Sequence, residues 1–161
     1  IEAETFYSKK EEISLPELVN KLIANFKILA QSSNVELKFR AENNLPKIFF
    51  DKFQIKMVID NLLDNAIRYT DSKGVVEIKL ERKGKKIYFE IKDSGVGIPK
   101  EDQKYIFEKF FRSSNALKKK TVGTGLGLYI AKSIIERNRG KINFISQEGK
   151  GSTFWFTLPL R

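Results

Sequence analysis

The chain has 161 residues, 41% hydrophobic and 31% charged, enough for one domain with a real core and unlike a disordered segment. It contains no Cys and no His, which excludes disulfide frameworks, zinc–thiolate sites, thiol nucleophiles, imidazole general bases and Ser-His-Asp triads. No apolar run approaches the ~20 residues that span a bilayer and no signal-peptide pattern opens the chain, so the expectation is a cytoplasmic protein without membrane contact. The net charge of +10 lies wholly in residues 81–161, as befits either a polyphosphate- or nucleic-acid-binding half or a solvated face.

In chain order, residues 1–13 are mixed and polar and read as a tether. Ser14-Leu15-Pro16-Glu17 has the form of a capping box with Pro in the first turn, and Leu18, Leu22, Phe26 and Leu29 follow at helical spacing. Val35 to Arg40 alternates as a half-buried strand does, and Ile48-Phe49-Phe50 is a short buried one. Asp51 with Gln54 caps a long helix reaching about Tyr69. Val75 to Arg82 and Lys86 to Lys92 form a hairpin, then a glycine-rich loop runs from Asp93 to Pro99. A short helix is expected over Lys100 to Phe110, and a long loop over 112–123. Leu126 to about Arg137 reads as a helix stopped by Gly140, and Ile142 to Gln147 with Thr153 to Leu158 as a last hairpin. The expected fold is therefore α/β (α+β): a mixed, largely antiparallel sheet covered on one face by about three helices.

Four stretches carry chemistry. At 100° per residue, Asn61, Asn65 and Arg68 share one stripe of the long helix, beside the apolar Val58, Leu62 and Ala66. The stripe is either a polar edge facing water or a site floor, in which Asn65 offers a hard oxygen to Mg²⁺ and Arg68 a charge to phosphate. Asp93-Ser94-Gly95-Val96-Gly97-Ile98-Pro99 follows a strand; its carboxylate suits an exocyclic amine such as that of adenine, though an ordinary turn has the same form. Gly123-Thr124-Gly125-Leu126-Gly127-Leu128 opens a helix and makes either an anion site or a hinge; it is neither a P-loop nor a dinucleotide fingerprint. In Ile106-Phe107-Glu108-Lys109-Phe110-Phe111-Arg112 the aromatics read as core, with Arg112 able to reach a phosphate.

Each signal alone is weak, but their order and spacing are specific. Asn61 to Ala66, then Asp93 to Gly97, the Phe-rich stretch, Gly123 to Leu128 and Gly149 to Phe154 together resemble the N, first glycine, F, second glycine and third glycine boxes of sensor histidine kinases. The resemblance covers about residues 14–161 and is to the catalytic ATP-binding domain, in a superfamily shared with gyrase B and the ninety-kilodalton heat-shock chaperone. It implies the Bergerat ATP-binding fold, a two-layer sandwich with ATP and Mg²⁺ between the long helix and a lid at 113–122. It also implies that Asn65 is the Mg²⁺ ligand supported by Asn61, and that Arg68 and Arg112 contact phosphates. Tyr69 would pack by the nucleotide, Asp93 would read adenine, and Gly95, Gly97 and Ile98 would line the base, with Ser152 a lesser candidate beneath it. Gly123, Gly125 and Gly127, with the amides from Thr124 to Leu128, would hold the phosphates.

The water-activating ATPases and the related serine kinases of the superfamily place a Glu where this chain has Asn61, which cannot act as a base. Phosphoryl transfer to an imidazole, a nucleophile needing little activation, is then favoured over hydrolysis. The resemblance further implies an acceptor His on an upstream dimerising hairpin that this chain lacks, with residues 1–13 as its exit. It implies a response-regulator partner, a homodimeric parent that absent segments could anchor in a membrane, and a monomeric fragment. The rivals are a Bergerat-type ATPase or serine kinase, a member that binds nucleotide only as a switch, and a basic nucleic-acid-binding module. Lys118-Lys119-Lys120 lacks the interleaved aromatics the last would need, so no nucleic-acid partner is expected.

Overall fold

The computed structural model describes residues 8–118 and 123–160. Seven strands and four helices are present among them: β1 (Lys10–Ile13), α1 (Leu15–Ser32), β2 (Glu36–Ala41), β3 (Ile48–Asp51), α2 (Lys52–Arg68), β4 (Val75–Lys83), β5 (Lys86–Asp93), α3 (Ser114–Lys118), α4 (Gly127–Arg137), β6 (Lys141–Gln147) and β7 (Gly151–Pro159). Five strands form one sheet in the order β2-β4-β5-β7-β6, with β2 parallel to β4 and the other pairs antiparallel. α1, α2 and α4 cover it, so the expected mixed sheet under about three helices is the fold found.

Period-two alternation sets the sheet's inner face. Val76, Ile78 and Leu80 of β4, Ile87, Phe89 and Ile91 of β5, and Phe154, Phe156 and Leu158 of β7 are buried together. α2 lies between α1 and α4 against the sheet, and its buried arc is correspondingly wide: Ile55, Val58, Ile59, Leu62, Leu63, Ala66 and Ile67. Each of these Ile, Leu and Val side chains contributes about 1.5–3 kcal/mol on burial. The Asp51 cap forms as the sequence indicates, its carboxylate accepting from the Gln54 amide at 3.0 Å.

Five local expectations are corrected. Lys10–Ile13, read as tether, pair antiparallel with β3 and bury Ile13; residues 1–7 lie outside the described residues. Ser14 occupies the N-cap of α1 but its side chain makes no cap bond, because Pro16 and core contacts of Leu15 suffice to start the helix. Only a 3-10 turn, Gln103–Tyr105, forms in the stretch expected as a helix. There the chain serves packing instead: Ile106 is buried, Phe107 meets Phe144 and Phe154 edge-on, and Phe110 turns to φ +64 to donate its amide to Gly125. The loop expected over 112–123 contains α3, while 119–122 lie outside the described residues. Finally, Arg139 rather than Gly140 takes the left-handed position after α4, at φ +60; Gly140 is small because a Cβ would lie 2.4 Å from the Thr157 carbonyl.

Candidate functional site

A cavity of about 330 Å³ opens between α2, the β5–α3 connection and the start of α4. Its floor is the stripe read from the sequence: Asn61, Asn65 and Arg68 all line it, with Tyr69 just beyond the helix end. The stripe works as a floor because Leu62 and Ala66, one step round the helix, are buried and fix its rotation. Arg68 does not hang free: its Nε bonds both oxygens of Asp64 at 2.9 Å, an i,i+4 pair that holds the guanidinium at the cavity edge. Both side chains are more than a third exposed, so the pair adds little to stability and leaves Arg68 able to meet an anion.

Asp93 closes the other end. The alternation that buries Ile87, Phe89 and Ile91 carries Asp93 onto the same inner face, where it is 7% exposed. Its Oδ1 accepts from the Gly95 amide at 2.9 Å and the Ser152 amide at 3.2 Å, and Ser152 is its cross-strand partner. These two bonds fix the carboxylate's plane and offset part of its burial. The Ser152 hydroxyl lies 2.7 Å from that of Ser146, which accepts from the Ile98 amide at 2.8 Å, tying the loop to the last hairpin. Gly97 stands at φ +67 with the Gln147 carbonyl 2.1 Å from where a Cβ would be, so only glycine fits there.

The third wall is the start of α4. Gly123, Thr124, Gly125, Gly127 and Leu128 line the cavity, bringing helix-terminal amides to the side facing Asn61. Gly127 is packed so close that a Cβ would lie 3.0 Å from Asn61 Oδ1. Arg112 and Ser113 line the cavity from α3's side.

Two residues expected at the site stand outside the cavity lining. Gly95 borders a neighbouring cavity instead; its amide is spent on Asp93, and the Tyr69 carbonyl lies 2.2 Å from where its Cβ would be. Leu126 is the α4 N-cap and donates its amide to the Thr124 hydroxyl at 3.3 Å. Conversely, Asp64 and the apolar Ile106, Ala116 and Phe154 line the cavity without having been singled out. Asp64 was findable from its i,i+4 spacing to Arg68; Ile106 and Phe154 also belong to the core, and Ala116 is buried although it falls in the stretch expected as a loop.

No group of three or more His, Cys, Asp or Glu that could hold a metal occurs among the described residues. The donor set that is present, the amide oxygens of Asn61 and Asn65, suits a hard cation that completes its shell with water and phosphate oxygens, as Mg²⁺ does.

A cavity lined by a fixed carboxylate, Asp93, and by helix-terminal amides at the start of α4 has the form of a nucleotide site built on an open α+β sandwich. Residues 50–161 match the family described as histidine kinase-, DNA gyrase B-, and HSP90-like ATPase, and the chain belongs to it. It is 34% identical over 148 residues to the sensor-like histidine kinase SenX3 of Mycobacterium tuberculosis, covering 92% of this chain and 36% of SenX3. The nucleotide-free catalytic domain of histidine kinase ThkA superposes with a TM-score of 0.82 at 33% identity, covering 94% of this chain and 95% of that one. ThkA in complex with the response regulator TrrA gives 0.77 at 29% identity, covering 94% and 42%. The chain thus spans about a third of the length of SenX3 and nearly all of an isolated kinase catalytic domain. No helix among the described residues is long and apolar enough to cross a membrane.

Proposed function

We propose that this chain is the catalytic ATP-binding domain of a sensor histidine kinase, which passes the γ-phosphoryl group of Mg-ATP to a histidine on a separate dimerisation domain. Adenine lies at Asp93, the triphosphate runs along α2 towards the start of α4, and Arg68 and Arg112 neutralise its charge. Asn65 is the metal ligand and Asn61 supports it. Bound Mg²⁺ supplies charge neutralisation on the phosphate oxygens. An imidazole nitrogen attacks the γ-phosphorus as the bond to the β–γ bridging oxygen breaks; ADP leaves, and the phosphoryl group stays on the nitrogen.

The observation that carries this reading over hydrolysis is the state of the carboxylates. Asp64 and Asp93 are the acidic residues lining the cavity among the described residues. Asp64 is held by Arg68, and Asp93 is held by two backbone amides at the far end from α4. Position 61, facing Gly127, carries an amide that cannot take a proton from water. Such a site positions ATP without activating water. The response regulator in the ThkA–TrrA complex supports a regulator as the onward partner of the parent protein.

The test compares phosphate release with phosphate transfer. With labelled ATP the isolated chain should retain no phosphate and turn over slowly, and adding a His-bearing hairpin domain should yield acid-labile phosphohistidine on that domain. Rapid hydrolysis by the isolated chain would instead support a Bergerat-type ATPase.

A further inference from the structure

The segment after Arg112 is fastened by bonds made wholly within the chain. The Ser114 amide and hydroxyl both donate to Asp102 Oδ2, at 2.9 and 3.0 Å. The Asn115 side-chain amide donates to the carbonyls of Val96 and Gly97, each at 3.2 Å. Those two carbonyls sit on a loop that has no freedom to follow α3. The Val96 amide donates to the Tyr69 carbonyl at 3.0 Å, the Val96 carbonyl accepts from Gly149 at 2.7 Å, and Gly97 is wedged against Gln147. So the loop is the anchor and α3, five residues long, is what it holds.

Asn115 also marks a boundary. Val96 borders both the 330 Å³ cavity and a second one of about 460 Å³. Asn115 borders only the second, and Ala116, the next residue and buried, borders only the first. α3 therefore lies between the two cavities, with Asn115 on one side and Ala116 on the other.

We propose that Asn115 is a positioning residue of the nucleotide site: by fastening α3 to the base-end loop it sets where Arg112, three residues earlier, stands at the phosphate end. The inference rests on the ATP reading above. It links the two ends of the ligand through one side chain that touches neither. Its sequence gives no hint of this, since an Asn in a polar loop reads as solvated.

The isosteric Asn115→Asp tests it, because a carboxylate cannot donate and would face two carbonyl oxygens. Amide hydrogen exchange over 113–118 in the nucleotide-free chain should quicken about tenfold, and ATP affinity should fall about tenfold, the scale of losing one or two hydrogen bonds. Facing two carbonyl oxygens, the introduced carboxyl should hold its proton above the ordinary Asp value of about 3.9, so as pH falls from about 7 to about 4.5 it regains a proton to donate and the ratio of variant to parent affinity should return towards one. Asp102, Asp71 and Glu148 also border this place and are present in parent and variant alike. A merely structural lesion would not recover with pH. Unchanged exchange would overturn the fastening, and quickened exchange with unchanged ATP affinity would overturn the positioning role. A parent chain that fails to bind ATP would instead sink the proposed function, with the exchange arm still judging the fastening.

Discussion

Asp93 offers the sharpest test of where the base sits. Substituting Asn keeps an oxygen to accept from the Gly95 and Ser152 amides, now at 2.9 and 3.2 Å, so the fold should lose less than ~1 kcal/mol. The other side-chain position becomes an amide that donates, and it meets the donating amine of adenine. Losing one charge-assisted hydrogen bond costs about 1.5–3 kcal/mol, which is roughly a 10- to 150-fold loss of ATP affinity. Guanine presents a carbonyl where adenine has its amine, so GTP should suffer less or gain, and the ATP-to-GTP ratio should collapse. Asp93→Ala separates binding from folding, because it leaves two buried amides unpaired at about 1–3 kcal/mol each and should lower the denaturation midpoint as well. Calorimetric titration with both nucleotides, alongside urea denaturation, reads all of this. ATP affinity within twofold of the parent for Asp93→Asn would remove Asp93 from base recognition.

Three further outcomes follow from the site and the sheet. Asn65→Ala should abolish phosphotransfer to a supplied acceptor domain while sparing much of the binding of metal-free nucleotide, seen by titrating with and without Mg²⁺. Gly127→Ala would set a methyl 3.0 Å from Asn61 Oδ1; the Asn61 side chain can swing away, so thermal stability should hold while ATP affinity falls several-fold. Burial, together with the neighbouring Glu90 that accepts from its hydroxyl and the Glu81 charge, raises the Tyr88 pKa well above its ordinary 10. A raised folded-state value contributes stability present below the unfolded value of about 10 and lost as pH rises through the folded one, so denaturation midpoints should drop above about pH 10, and Tyr88→Phe should flatten that drop.

The floor of the site was legible in the sequence because helical periodicity is a property of a single element: Asn61, Asn65 and Arg68 had to share a stripe, and the apolar residues beside them had to turn it inward. Asp93 was legible for the same reason, its place on the inner face following from alternation along β5. What failed was whatever depended on a partner distant in sequence. β1 has three charged residues before its one apolar residue, Ile13, and its strand character comes from β3, thirty-five or more positions away. The stretch from Lys100 to Phe110 has helix-compatible residues, but the ring contacts of Phe107 and the bond from Phe110 to Gly125 override that preference. Gly95 and Leu126 stand outside the cavity lining for a local reason instead: their amides bond Asp93 and Thr124, each two residues back, a matter of hydrogen-bond accounting that spacing alone does not reveal.

The pairing of β1 with β3 makes the entrance to this domain stiff. One carboxylate, Asp51, takes the Lys9 amide on Oδ2 at 3.0 Å and the Gln54 amide on Oδ1 at 3.0 Å, riveting the incoming chain to the first turn of α2. The same helix carries Asn61 and Asn65 about two and about three turns beyond Gln54. A twist or pull delivered at Lys9 therefore meets a lever, not a slack cord: it loads a strand pair and a capped helix in series and arrives at the floor of the cavity. Under the kinase reading proposed above, a module joined here would be held in a set orientation to the site and not merely near it.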